Sequence, residues 1–374
     1  MNSRERVFTS FAHLPPDKVP MSVGSTSNDT FTKESLKRYT KYLNIADYKE
    51  NVINKICGAV ETPLLIQEMY QGDFVTVRLK NSFSLSPESE CGEGCFRDAF
   101  GVKLQATEYY YDAKERSLPG EITVKTIEKF PWPDGSDKRF TQGLREEILK
   151  LKATTDKAIV MDFMVWGPFE GALWMRGWED FLCDMYSEPI LAEALMERIT
   201  YYDLQVWNQV LDEVGDLVDI VCQGDDLGMQ DRSLISPELY RELIKKYHRQ
   251  IYDTVRKKST AKILHHSCGS VYNLLADLVD IGVDILNPVQ TTAKDMEPKR
   301  LKRDFGKDLV FWGGLDIQKL LPYGTTAEVR NGVKEIMEVL GKGGGYVFAP
   351  SHNIQPTVPV ENIKAMFEAA IEYR

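Results

Sequence analysis

Lys262-Ile-Leu-His-His-Ser-Cys-Gly-Ser-Val271 is a strand-like start, Lys262 to Leu264, followed at once by two imidazoles and a thiol. Side chains alternate faces along a strand, so His266 and Cys268 point one way and His265 and Ser267 the other. A His-x-Cys pair at a strand end can hold one metal ion. Read without a metal, the same residues form a satisfied polar turn, and His265 packs or hydrogen-bonds behind the strand.

Outward from this stretch, short apolar runs recur, each followed by a helix-patterned segment, which is the alternation that builds a parallel sheet. The expected strands are Val19 to Val23, Asp73 to Leu79, Ala158 to Met164, Leu217 to Cys222, Lys262 to His266, Val283 to Asn287, Leu309 to Trp312 and Tyr346 to Ala349. Helix starts are marked by Ser236-Pro237, by Ser187 before Pro189, and by the Thr325-x-x-Glu328 box. Eight such units predict a single α/β domain over 1–374, a (β/α)8 TIM barrel with an N-terminal extension. An open doubly wound sheet shares most of this pattern. The long gap between the second and third strands holds Trp132-Pro133-Asp134-Gly135, and 81–157 is expected to be an insertion over the barrel mouth.

The balance of 46 basic against 56 acidic residues gives a formal charge of −10, without a basic run of the kind that tracks a phosphate backbone. No nucleic-acid partner is expected. Neither an apolar run of membrane length nor an export signal is read at Met1 to Arg6, so the expectation is a soluble, cytoplasmic protein with reduced thiols. Six cysteines in this length do not make a disulfide framework. Cys91 and Cys95 are read as a plain polar loop, Cys57 and Cys183 as core.

Barrel enzymes carry their reacting groups at the C-terminal strand ends, and here those ends are polar. The third runs through Asp162 into Trp166-Gly167-Pro168, and the fourth ends Gln223-Gly224-Asp225-Asp226. Further on come Asn287-Pro288-Val289-Gln290, Gly313-Gly314-Leu315-Asp316 and Ser351-His352-Asn353. An open zinc site needs three protein ligands; His266 and Cys268 supply two, His352 is the expected third and Asp226 the reserve. Asp225 and Asp226 are candidates for acid–base work, with helix capping as the plain alternative. Gly313 and Gly314 either let a ligand approach the backbone or form a tight turn. Trp166, Trp174 and Trp178 pack the core or line an apolar pocket.

Taken in order, these stretches resemble the uroporphyrinogen decarboxylase superfamily over nearly the whole chain. They are Arg4-Glu5-Arg6 with Pro16-Asp17-Lys18-Val19-Pro20, Phe130-Pro131-Trp132-Pro133-Asp134, Gly224-Asp225-Asp226-Leu227-Gly228 and His266-Ser267-Cys268-Gly269. Asn287-Pro288, Trp312-Gly313-Gly314-Leu315-Asp316 and Ala349-Pro350-Ser351-His352-Asn353-Ile354 follow, running on to Pro359-Val360-Glu361-Asn362-Ile363. The resemblance implies a (β/α)8 barrel and two competing chemistries. Decarboxylases of uroporphyrinogen work without a cofactor and grip the substrate's carboxylates with an arginine-bearing segment near the N-terminus. Here Met21-Ser-Val-Gly-Ser-Thr-Ser27 stands after Pro20, and arginine is the residue such a grip needs.

The other branch is similar to zinc-dependent corrinoid methyltransferases. Their His-x-Cys pair falls on His266 and Cys268, and their third ligand, a cysteine, falls on His352; decarboxylases also tend to carry histidine there. The implied reading is a zinc-dependent methyltransferase moving a methyl group between a corrinoid protein and a small thiol or methoxylated substrate. Asp225 or Asp226 would handle the proton, while Asn287, Gln290, Asp316, Trp166, Gly313 and Gly314 would bind substrate. The alternatives are a metal-free decarboxylase-type enzyme on another acidic substrate and a non-catalytic barrel that binds a corrinoid or tetrapyrrole. The oligomeric state is left open, a homodimer among the options.

Overall fold

Seven parallel strands form one curled sheet: β1 (Phe74–Val77), β2 (Ala158–Met161), β3 (Ile220–Gly224), β4 (Lys262–His266), β5 (Ile285–Asn287), β6 (Val310–Leu315) and β7 (Tyr346–Pro350), each beside its successor. The structure, a computed structural model, describes residues 1–79 and 89–374, with Ser89 and Glu90 described in backbone only. Residues 80–88, which include the first part of the expected insertion, lie outside the described residues.

The first expected strand, Val19 to Val23, is not a strand; only Met21 bridges in parallel to Phe348. The physical reason is local: the Met21 amide donates to the Asp73 carboxylate at 3.0 Å rather than to a neighbouring ladder. The segment still joins both edges of the sheet. Phe348 donates to the Pro20 carbonyl, Ser22 donates to Phe348, and Asp73 donates to Met21, each at 2.9 Å. The result is a TIM-barrel-like α/β fold.

Strand alternation sorts the core into two layers. Phe74, Val160, Cys222, Leu264, Ile285, Trp312 and Val347 face inward and pack together, with Val7 and Phe11 of the N-terminal helix Ser3–Phe11 among them. Ile159, Val221, Ile263, Leu286, Phe311 and Phe348 face outward under the helices. Arg4 pairs with Asp219 and donates its amide to Asp156, which places that helix at the N-terminal strand ends. Gly224, His266 and Asn287 are partners across β3, β4 and β5, so they share one face, in step with inward Cys222, Leu264 and Ile285. His266 therefore continues the barrel interior into its mouth.

The Thr325 capping box is present, with Glu328 as the reciprocal partner, and Ser236 caps the helix that begins at Pro237. Ser187 does not cap; it is the last residue of helix Trp178–Ser187 and its hydroxyl donates back to Cys183. Cys183 is exposed rather than in the core, and Cys91 and Cys95 are joined as a disulfide, not a plain loop of free thiols. The hairpin turn sets their Cα atoms 5.3 Å apart, within reach of a bridge.

Residues 89–115 form a four-stranded antiparallel sheet. In its Asp98 turn the carboxyl accepts the Phe100 and Val102 amides, yet burial pushes it up to about 6. The folded protein then holds a proton that the unfolded chain has lost between roughly pH 4 and 6. Stability from this group is full below that window and falls as pH rises through about 6. The side chain is partly exposed, which reduces the effect to about 2 kcal/mol. Asp98→Asn should flatten the dependence of the urea midpoint on pH between 4 and 6; equal slopes for both proteins would refute this origin.

Candidate metal site and cavity

His266, Cys268 and His352 place one ligand atom each within 4.8 Å of one another. The sulfur of Cys268 lies 3.6 Å from His266 Nε2. Tetrahedral zinc with ordinary Zn–S and Zn–N bonds would separate the two donors by about 3.6 Å. Asn287 Oδ1 sits 2.7 Å from His266 Nδ1 and accepts its proton, which leaves the Nε2 lone pair facing Cys268. Burial, with help from His266, lowers His352 to about 3, so its ring is the neutral imidazole a metal needs. Burial pushes the Cys268 thiol well up, and Asp226 and Glu170 add to it. Without a cation beside it this thiol keeps its proton. The donor set, two imidazoles and one thiol with no oxygen among them, fits zinc.

Two loops hold the pair. Cys268 donates its amide to Asp226 Oδ1 at 2.8 Å, and that carboxylate is 3.9 Å from His266 Nε2. The loops touch backbone to backbone at Gly228 and Gly269, where a Cβ would sit 2.5 Å from the opposite chain, and Gly269 also has φ +83°. Gln290 steadies the same turn by accepting the Gly269 amide and donating to Gln230.

A cavity of about 160 Å³ opens beside the triad. His266, His352 and Asp226 line it, together with Trp166, Trp174 and Glu170. Glu170, which sequence reading missed, stands in the first turn of helix Pro168–Arg176, just after the third expected strand. That placement, near a strand end beside Trp166, was the available signal. Its carboxyl accepts from Trp174 Nε1 at 3.3 Å, and burial with Asp226 and Asp225 nearby raises it well above the usual carboxylate range.

Several expected site residues take other positions. Asp225 is fully buried and caps helix Pro168–Arg176, accepting from the amides of Phe169 at 3.0 Å and Glu170 at 2.5 Å. Its Oδ2 is also 2.7 Å from His248 Nε2, so it holds a helix rather than meeting the cavity. Asp316 caps the turn after β6 through the amides of Gln318, Lys319 and Leu320. Gly313 and Gly314, at φ +111° and +98°, are demanded by packing: a Cβ at 314 would meet Ile336 at 3.2 Å. Neither is among the residues that line the cavity. Asn287 and Gln290 support His266 and the Cys268 turn instead of lining the cavity. Of the residues expected to bind substrate, Trp166 lines it. His265 points behind the strand, its Nδ1 2.5 Å from the Tyr252 hydroxyl.

Comparison with known proteins matches residues 98–373 to the family model described as uroporphyrinogen decarboxylase (URO-D). A uroporphyrinogen decarboxylase of Coxiella burnetii is 27% identical over 187 residues, 50% of this chain and 48% of that one. The chain thus spans about half the length of the first curated relatives it matches. A methylated-thiol–coenzyme M methyltransferase of Methanosarcina mazei is 30% identical over 295 residues, 75% of this chain and 73% of the relative. Among solved structures, a methyltransferase from Methanosarcina mazei superposes with a TM-score of 0.69 at 20% identity, covering 100% of this chain and 99% of that one, a likeness of fold.

Proposed function

The chain belongs to the uroporphyrinogen decarboxylase family, and on that premise we propose that it is a zinc-dependent methyltransferase. It moves a methyl group between a corrinoid protein and a small thiol or methoxylated substrate. The observation that carries this reading is the His266, Cys268 and His352 triad, gathered within 4.8 Å at the edge of a small cavity. Relatives of both chemistries exist, decarboxylases and methyltransferases, so the cavity has to choose. Uroporphyrinogen is a large polycarboxylate, and among the described residues this cavity of about 160 Å³ is lined by the Asp226 carboxylate and by no arginine or lysine. Like charges facing each other oppose such a ligand.

Zinc held by the triad would supply Lewis acidity, lowering the pKa of a thiol or polarising a methyl ether. The chain's own residues do the rest. Asn287 fixes the His266 tautomer, and Asp226, beside both His266 and the cavity, accepts the substrate's proton. Trp166 and Trp174 displace water from the reacting atoms. In this reading residues 89–157 of the expected insertion cover the mouth, and the corrinoid partner docks there. Among the described residues no helix is long and apolar enough to cross a membrane; a cytoplasmic location is part of the proposal.

The test is methyl transfer from methylcobalamin to a small thiol by zinc-loaded protein. Thioether should form, stop on chelation and resume when zinc is restored. Carbon dioxide release from a carboxylated substrate, unchanged by chelation and without thioether, would replace this reading with the decarboxylase one.

A further inference from the structure

The cavity beside the triad has a composition that discriminates among acceptors. Among the described residues its carboxyl-bearing and basic liners are Glu170 and Asp226, apart from the two imidazoles. Basic residues flanking the wall are engaged elsewhere. Arg78 pairs with Asp162 at 2.8 Å and Glu61 at 3.2 Å, and the Lys55 ammonium lies 4.0 Å over the Phe96 ring. Phe163, Trp166 and Trp174 form the aromatic part of the remaining wall, which also carries Ser27, Asn28 and Asn54. Trp166 and Trp174 lie 5.3 Å apart, and Phe163 meets His266 edge-on at 5.6 Å. Burial and the neighbouring Asp226 and Asp225 raise Glu170 well above the usual carboxylate range, which favours its neutral form and weakens it as a counter-charge for a cation. At about 160 Å³ the space matches an apolar cavity of about 150 Å³, the size that admits benzene.

We propose that this cavity selects its acceptor by an uncharged, benzene-sized apolar tail and rejects anionic tails. The inference rests on the methyl-transfer reading, whose substrate it specifies. An anionic tail would meet Asp226 with no guanidinium or ammonium on the described wall to receive it, and like-charge contacts of this kind weaken binding. The aromatic wall instead rewards a planar apolar group through offset or edge contacts.

Calorimetric binding to the full-length, zinc-loaded protein tests it with 2-phenylethanethiol, 2-mercaptoethanesulfonate and 2-aminoethanethiol. Ethylbenzene and ethanesulfonate, which lack the thiol, are run in parallel. The aromatic thiol and ethylbenzene should bind on the order of tenfold or more tightly than their sulfonate counterparts. Trp174→Ala should weaken ethylbenzene by about tenfold while zinc content stays unchanged. Sulfonate binding equal to or tighter than the aromatic, tightest binding by the amine, or no ethylbenzene binding up to its solubility would each overturn the proposal. Repeating the thiol-free pair on zinc-free protein reports the tail alone, so its result stands apart from whether zinc binds or methyl transfer occurs.

Discussion

Cys268→Ser should lower zinc affinity by more than the roughly 100-fold that loss of a supporting hydrogen bond costs a metal site. The sulfur 3.6 Å from His266 Nε2 is the one thiol in the triad, and a serine hydroxyl at that place is a poor donor for a soft site. His266→Ala should do the same. Asn287→Ala, which frees the His266 ring while leaving every ligand in place, should cost about 10–100-fold. His352→Ala decides the third ligand: a loss comparable to that of Cys268→Ser makes it a ligand, whereas wild-type affinity removes it from the site. Binding also has a sign in pH. The buried Cys268 thiol lies well above its ordinary range, so zinc must displace its proton, and apparent affinity rises with pH below the thiol's pKa. Zinc retained after dialysis against a competing chelator measures all of this, with circular dichroism reporting the fold. Unaltered zinc retention in Cys268→Ser would sink the metal site.

Periodicity exposed the framework because each strand has two buried faces and a helix behind it. Lys262–His266 keeps its expected bounds, and its face alternation puts His266 in line with the inward core residue Leu264 and His265 behind it. What periodicity could not show was which polar group at a strand end meets the cavity. Asp225 and Asp226 are adjacent and chemically alike, yet one caps a helix and the other lines the cavity. Their roles are set by His248, 23 residues away, and by Cys268, 42 away. A π-helical turn at Tyr240–Ile244 precedes His248, and Tyr240 reaches it at 3.0 Å; no local sequence signal marks that turn. Val19 to Val23 has strand composition, but the Asp73 side chain takes the Met21 amide that a ladder would have used.

Asp225→Ala should destabilise the protein by about 3 kcal/mol or more, because the amides of Phe169 and Glu170 and the ring of His248 lose a buried acceptor at about 1–3 kcal/mol each. Both carboxylate oxygens are occupied, by Phe169 and His248 on one and by Glu170 on the other, in a fully buried place. The surroundings are built to that side chain: a Cβ at Gly167 would lie 2.2 Å from the Asp225 Cγ. Asp225→Asn keeps the shape but turns an NH2 toward groups that donate, leaving a buried donor unsatisfied at about 1–3 kcal/mol. A cycle with His248→Ala should return a coupling of about 0.5–3 kcal/mol, as for side chains in one network. Urea unfolding supplies these values. The helix anchored by Asp225 carries Glu170 and Trp174 into the cavity, so tail binding should weaken alongside stability while zinc retention stays near wild type. If Asp225→Asn instead keeps its stability within about 0.5 kcal/mol and loses turnover, Asp225 is a proton carrier after all and the capping role assigned to it is wrong.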